Sequence, residues 1–410
     1  MTSSFDFVDQ LLPNAGPHAV INVGSTEFTI LGTAHVSQVS AQEVQQLIES
    51  GHYDGVAVEV CRSRYQAMTE PDLLGRMNLF EVIKSGKAGV VAANLALGAF
   101  QQRVAETAGV EPGADMKTAI ATAQSNGIPL WLVDRDIGIT LRRVYRKVPW
   151  WQRSALILGL FQSVISRESV SPESIEQLKE SDVLSATFSN FAEDSPEIHE
   201  ALIAERDEFM VLRTLYENQK TPLTRVLMVV GAGHLQGIIN HFKKSSAHTS
   251  PLQRINQLQQ LPPARKWLRY IPWAIALIIV SGFVVGFSRS SELGWQLIGS
   301  WFLINGTLTA IGTTLAKGHP LTIAASFFAA PFTSLNPTIG AGFVAAAVEL
   351  WVRKPNVHDF STLRYDVAQW QGWWKNRVSR TLLVFILASL GSMAGTYIGG
   401  FRIFGLLSGA

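Results

Sequence analysis

Two short stretches, Thr29-Ile30-Leu31-Gly32-Thr33-Ala34-His35 and Met228-Val229-Val230-Gly231-Ala232-Gly233-His234, decide how the N-terminal half of this chain is read. Each is an apolar run ending in Gly-x-x-His. A run of this kind predicts a buried strand. Glycine permits a sharp strand-to-loop turn without a Cβ clash, so the histidine three residues on is presented at the strand's carboxyl end, where ligands of α/β sheets gather. Two like-built strand ends of this sort are expected to converge on one site.

Outward from these stretches the pattern stays α/β. Ala19 to Val23 and Phe28 to Leu31, separated by Gly24-Ser25, predict a hairpin. Ser40 and Glu43 have capping-box spacing, which predicts a helix over about 41 to 50. Gly55 to Val60, Pro129 to Val133 and Val226 to Val230 read as further strands. Asp194 to about Asn218 and Leu235 to Phe242 read as helices. The fold class expected is α/β, a mixed sheet with flanking helices built on two pseudo-repeated strand–GxxH–helix units, followed by a C-terminal α-helical transmembrane domain.

Only 16% of residues are charged, against roughly 25% in an average soluble domain, and the depletion lies at the C-terminal end. Trp267 to Phe287, Trp295 to Ala316 and Leu382 to about Leu407 have spanning length. Pro331 and Pro337 interrupt a fourth apolar stretch, Pro320 to Trp351, which reads as one broken helix or a re-entrant pair of half-helices. The expected organisation is residues 1–247 as a soluble domain, 248–266 as a linker, and 267–410 as a transmembrane domain of three or four spans. Val90 to Phe100 and Ala155 to Ile165 are too short to span and are expected to belong to the soluble domain.

Lys243, Lys244, Arg254, Arg265, Lys266 and Arg269 precede the first span, so the N-terminal domain is expected on the cytoplasmic face of a bacterial membrane. The first residues have no basic and apolar pattern of a secretory signal. Net charge is +2 with no basic stripe, which gives no case for nucleic-acid binding. The single cysteine, Cys61, makes neither an intramolecular disulfide nor a Cys-based zinc site. Gly231-x-Gly233-x-x-x-Gly237 lacks dinucleotide-loop spacing, and no phosphate-binding Walker sequence is present. Gly306, Ala310, Gly340, Gly342, Gly391 and Gly395 suit close helix packing within a subunit or in a homodimer.

Three polar residues end apolar strands: His35, Glu59 and His234. A carboxylate at the end of Val56-Ala57-Val58-Glu59 needs a cation or hydrogen-bond donors to replace its lost water. Two imidazoles and a carboxylate suit a divalent ion with open positions, which lowers the pKa of a bound water. Each residue alone also suits a plain structural role, a hydrogen-bonded loop histidine or a salt-bridged glutamate. Asp134, Arg135 and Arg142 are candidates to orient a ligand or stabilise an oxyanion. Glu205, Arg206 and Asp207, on the long helix, read first as ordinary ion pairs.

Leu31-Gly32-Thr33-Ala34-His35-Val36-Ser37, Val58-Glu59-Val60-Cys61-Arg62-Ser63-Arg64, Val133-Asp134-Arg135-Asp136-Ile137, Glu205-Arg206-Asp207 and Val230-Gly231-Ala232-Gly233-His234 together resemble the TraB family, which includes pheromone-shutdown proteins and is related to the Tiki metalloproteases. The resemblance implies a metal-dependent, peptidase-like site. In it His35, Glu59 and His234 bind the ion, manganese or cobalt by analogy with Tiki and zinc as another option. The expected partners are a peptide or protein substrate and the lipid membrane. The expected activity is a membrane-anchored hydrolase acting on a signalling peptide. The alternatives are a non-enzymatic peptide-binding regulator or transporter-like protein, and a metal-independent, esterase-like hydrolase.

Overall fold

The computed structural model describes residues 4–13, 15–34, 37–69, 79–85, 88–89, 91–92, 95–96, 98–99, 113–147, 199–245, 251–261, 270–336 and 338–409. Its two compact units are Met1–Pro71 with Phe100–Pro263, and Asp72–Ala99 with Ala264–Ala410.

In the first unit, helix α1 (Ser4–Leu11) precedes a hairpin of β1 (His18–Val23) and β2 (Thr26–Thr33) turned at Gly24-Ser25. Then come α2 (Gln38–Glu49), β3 (Gly55–Val58) and α3 (Arg62–Thr69). Helix α4 (Leu79–Lys84) groups with the second unit, and the chain returns through α5 (Ala114–Ser125), β4 (Leu130–Leu132) and α6 (Ile137–Lys147). A π-helical turn at Glu200–Ala204 leads into α7 (Glu205–Lys220), followed by β5 (Arg225–Gly231), α8 (Leu235–Ser245) and α9 (Pro251–Gln259).

The five strands form one mixed sheet in the order β1-β2-β5-β3-β4, with β1 antiparallel to β2 and every other pair parallel. Alternation of side chains along each strand divides the core into two layers. Leu227 and Val229 of β5 join Val56 and Val58 of β3 on the face covered by α2 and α5. Val226, Met228 and Val230, with Ala57, lie on the opposite face under Met210 and Val211 of α7 and Ile238 and Phe242 of α8.

The strands that carry the two Gly-x-x-His motifs are paired neighbours, Gly32 opposite Val230 and Thr33 opposite Gly231. A Cβ at Gly32 would stand 3.1 Å from the Ala232 Cα, so glycine is what lets the two strand ends meet this closely.

Two local expectations are corrected. The N-cap of α2 is Ser37, whose side chain accepts from Ser40 N, and not Ser40. Ser40 instead accepts from Ala34 N, and the Glu43 side chain leaves the helix to accept from Gly16 N. The stretch read as a linker contains α9, whose Ile255 and Leu258 bury themselves against Phe209 and Leu212 of α7. Two apolar residues three apart make one face of a short helix, and an Arg254–Glu208 ion pair adds to the contact.

The second unit holds α10 (Ile271–Arg289), α11 (Ser291–Leu315), α12 (Pro320–Thr333), α13 (Ala341–Val352) and α14 (Arg377–Ser408). Helices α10 and α14 are long and apolar enough to cross a membrane. Helix α11 has 25 residues and is rich in Gly, Ser and Thr. Large apolar side chains face outward, among them Leu277, Ile278, Val284, Phe328, Phe401 and Phe404. Phe80 of α4 packs on Phe343 of α13. Of the two short apolar stretches, Val90 to Phe100 is described only in part and Ala155 to Ile165 lies outside the described residues.

Pro331 stays inside α12, which ends at Thr333, and α13 begins at Ala341. Helices α12 and α13 form a hairpin of half length. At 1.5 Å per residue they are roughly 21 and 18 Å long. At the turn, Ser334 Oγ donates to Asn305 Oδ1 at 2.9 Å and lies 2.9 Å from Ser392 Oγ. Asn305 and Ser392 are mid-helix residues of α11 and α14, so the hairpin tip reaches only half way along its neighbours.

Candidate functional site

Glu59 lies one residue beyond β3 and continues its alternation, which turns its side chain to the α7 face; it is fully buried. Oε1 accepts from Arg206 Nη2 at 2.7 Å, and Oε2 accepts from Gly231 N at 2.7 Å. Gly231 is the glycine of the second Gly-x-x-His motif, so that motif's first residue already binds the glutamate.

His234 is held in a 3-10 turn between β5 and α8 and is also fully buried. Its Nδ1 is 2.5 Å from Asp207 Oδ1. A carboxylate only accepts, so the Nδ1 proton belongs to the imidazole and Nε2 is left to face Glu59 Oε1 at 3.4 Å. Two lone pairs at that separation repel. The contact therefore calls for positive charge between or on the two atoms, a proton on Nε2 or a bound cation.

Arg206 joins this pair to Asp134: its Nε and Nη2 reach Asp134 Oδ1 and Oδ2 at 3.1 and 3.0 Å. Two buried carboxylates, Glu59 and Asp207, and the partly buried Asp134 thus meet one guanidinium and one imidazole. A further buried carboxylate, Asp115, accepts from Thr33 Oγ1 at 2.5 Å, at the end of the strand that leads to His35.

Behind this centre lies a second ion cluster. Glu205 accepts from Arg135 Nη1 at 2.8 Å and from Arg143 Nε and Nη2 at 2.7 Å each, and pairs with Lys147 at 2.8 Å. Burial alone would raise its pKa, but hydrogen bonds from Arg143, Lys147 and Arg135 hold it down at about 2.

Asp134 therefore stands in the site. Arg135, expected to face a ligand, is corrected: it is buried and its donors are taken by Glu205, Thr140 and the carbonyls of Ala201 and Leu258. Arg142 makes no hydrogen bond to these carboxylates among the described residues; its neighbour Arg143 does, because one helical residue rotates the side chain by about 100°. Arg206 and Asp207, read first as surface pairs, sit at the centre. They lie just past the π-helical turn at Glu200–Ala204, a feature concentrated at functional sites but visible only in the fold. His35 lies outside the described residues.

A cleft of about 560 Å³ opens on the same unit, lined by Cys61, Tyr65, Trp131, Asp134, Phe209 and Arg213 among others. Asp134 belongs to both cleft and buried network. Cys61 is buried and contacts Ser63 Oγ at 3.3 Å, and Ser63 donates to Asp136 at 2.7 Å.

Among the described residues no group of three or more His, Cys, Asp and Glu side chains is arranged to hold a metal. Two of the three residues expected as ligands, Glu59 and His234, are nevertheless adjacent. A histidine whose Nδ1–H is fixed by a carboxylate is oriented as metal-binding histidines are. His234 Nε2 and Glu59 Oε1 are thus the described atoms that could face a divalent ion.

A family model described as TraB/PrgY/gumN family matches residues 18–249, and one described as TraB family protein, C-terminal domain, matches residues 267–408. An uncharacterized protein of Methanocaldococcus jannaschii is 30% identical over 388 residues, covering 92% of this chain and 94% of that protein. Proteins named TraB domain-containing protein from Bos taurus and Homo sapiens are 26% and 27% identical, over 62% and 55% of this chain and 70% and 65% of their own lengths.

Proposed function

The chain belongs to the TraB family, and from that premise we propose that its first unit is a metal-dependent hydrolase acting on a peptide or protein, anchored to a membrane by its second. The observation that carries this reading is the His234 imidazole, fixed at Nδ1 by Asp207 and turned at Nε2 toward Glu59, at the carboxyl ends of adjacent parallel strands.

His35, Glu59 and His234 would hold the ion. When bound, a divalent ion supplies a Lewis acid that brings the pKa of a water toward neutrality. The chain's own residues do the rest. Asp207 fixes the imidazole tautomer, Arg206 neutralises Glu59 and Asp134, and the half-apolar, half-charged cleft beside Asp134 suits an extended peptide.

The Asp207–His234 dyad also favours a second reading, in which His234 Nε2 serves as a general base without a metal. Metal content of the purified full chain separates the two. Near-stoichiometric manganese, cobalt or zinc, lost in folded His35→Ala and His234→Ala variants, supports the first. Folded protein that stays metal-free after loading overturns it in favour of the second.

For the second unit, the outward-facing apolar residues and the lengths of α10 and α14 support membrane insertion. The half-length α12–α13 hairpin is read as re-entrant. The end of the bundle carrying Lys317, Arg353, Lys354, Lys375 and Arg377 is read as cytoplasmic.

A further inference from the structure

At that basic end of the second unit lies a pocket of about 540 Å³, lined by Trp351, Val352, Arg353, Lys354, Arg377 and Arg380. It sits where α13 ends and α14 begins. Four cations converge on it, and two carboxylates are paired with them: Glu349 with Arg353 at 3.0 Å and Arg380 at 3.8 Å, and Asp359 with Arg377 at 3.9 Å.

Those carboxylates do not saturate the cations. Glu349 Oε2 is already occupied by His319 N and Thr322 Oγ1, both at 2.8 Å. Arg380 Nε, the atom 3.8 Å from Glu349 Oε1, is buried and makes no hydrogen bond among the described residues. Arg377 is the first residue of a 32-residue helix whose N-terminal amides add partial positive charge at the same place. Trp351, at the mouth, is 72% exposed. An exposed indole beside clustered arginines, at the end of outward-facing apolar helices, is the composition of a membrane interface.

We propose that this pocket binds the phosphate of an anionic phospholipid headgroup, with Arg353, Arg377 and Arg380 on its oxygens and Trp351 at the level of the glycerol backbone. Arginine's planar fork matches phosphate geometry, and the adjoining apolar helix surface accommodates acyl chains that a free phosphate lacks. The inference rests on the membrane reading of the second unit.

The test is native mass spectrometry of the full chain released from detergent, titrated with phosphatidylglycerol, phosphatidylcholine and inorganic phosphate in parallel. Phosphatidylglycerol is expected to bind at least tenfold tighter than phosphatidylcholine. Each cation removed in Arg377→Gln and Arg380→Gln is expected to weaken it about fivefold, while Arg402→Gln, far along α14, leaves it unchanged. Lys354→Gln, at an exposed position, gives the same reading should an arginine variant fail to fold.

Equal affinity for the two lipids, or equal loss in Arg402→Gln, overturns the proposal. Alkaline carbonate extraction separates its failure from that of the membrane reading. A chain that stays in the membrane without headgroup preference overturns the pocket alone. A chain released by carbonate overturns both, even where Arg380-dependent binding of inorganic phosphate then identifies the source as a soluble anion.

Discussion

Gly237 of α8 has no side chain because Asp207 Oδ2 stands where its Cβ would be. This one absence lets the α7 carboxylate pass close to α8 and reach the Nδ1 of His234. The glycine that resembled part of a nucleotide loop is thus explained by a buried Asp–His contact.

Gly237→Ala is therefore expected to displace Asp207 and free the imidazole, destabilising the unit by about 1–3 kcal/mol, the usual range for overpacking. Asp207→Ala removes the obstacle, so Gly237→Ala on that background should have almost no further effect. Denaturant unfolding of the four proteins gives the coupling; additive effects would mean that the two residues do not act on each other.

Arg206 neutralises the buried Glu59 and the partly buried Asp134 at once. Arg206→Met leaves Glu59 and Asp134 without their shared cation, and the expected loss is about 3–5 kcal/mol, as for a broken buried pair. Adding Glu59→Gln should recover part of that loss in thermal or denaturant unfolding. No recovery would place the destabilisation in lost packing of the arginine stem.

The sheet and its convergent motifs were legible because strand signals are local: the Gly24-Ser25 turn, the apolar run before Gly231 and the matching run before Gly32 each announce themselves within a few residues. What was not legible depends on which way a helical side chain points. Arg142 and Arg143 are equal in sequence, yet only the second faces Glu205. Glu205, Arg206 and Asp207 read as a surface cluster until strand order places β5 between β2 and β3 and brings α7 over Glu59. The helix at 251–259 escaped notice because its buried face is two residues, Ile255 and Leu258.

Glu205 sets an acid limit on stability. Its pKa is about 2 in the folded state against an ordinary 4.5, so its contribution is fully present above about pH 4.5 and lost as pH falls through about 2. The shift corresponds to about 3 kcal/mol. The stability gap between the wild type and Glu205→Gln should be widest at neutral pH and shrink steadily below about pH 4.5. A gap independent of pH would show that the carboxylate's charge is not what stabilises the cluster.

The half-length hairpin makes a topological prediction. Ser290, Lys354 and Thr338 are exposed, and Cys61 is buried, so single introduced cysteines can be read against a quiet background. Ser290 joins α10 to α11 at one end of the bundle and Lys354 lies at the other, where Arg353 Nη1 donates to the Lys317 carbonyl. With an impermeant maleimide applied to oriented vesicles, Ser290→Cys and Lys354→Cys should label from opposite faces. Thr338→Cys, in a turn beside the middle of α11 and α14, should label slowly from both. Rapid labelling of Thr338→Cys from the Ser290 face would mean that α12 and α13 traverse the bilayer between them, because only then does their turn emerge into water; a re-entrant pair keeps it at mid-depth, where Ser334 finds its partners on Asn305 and Ser392 in place of solvent.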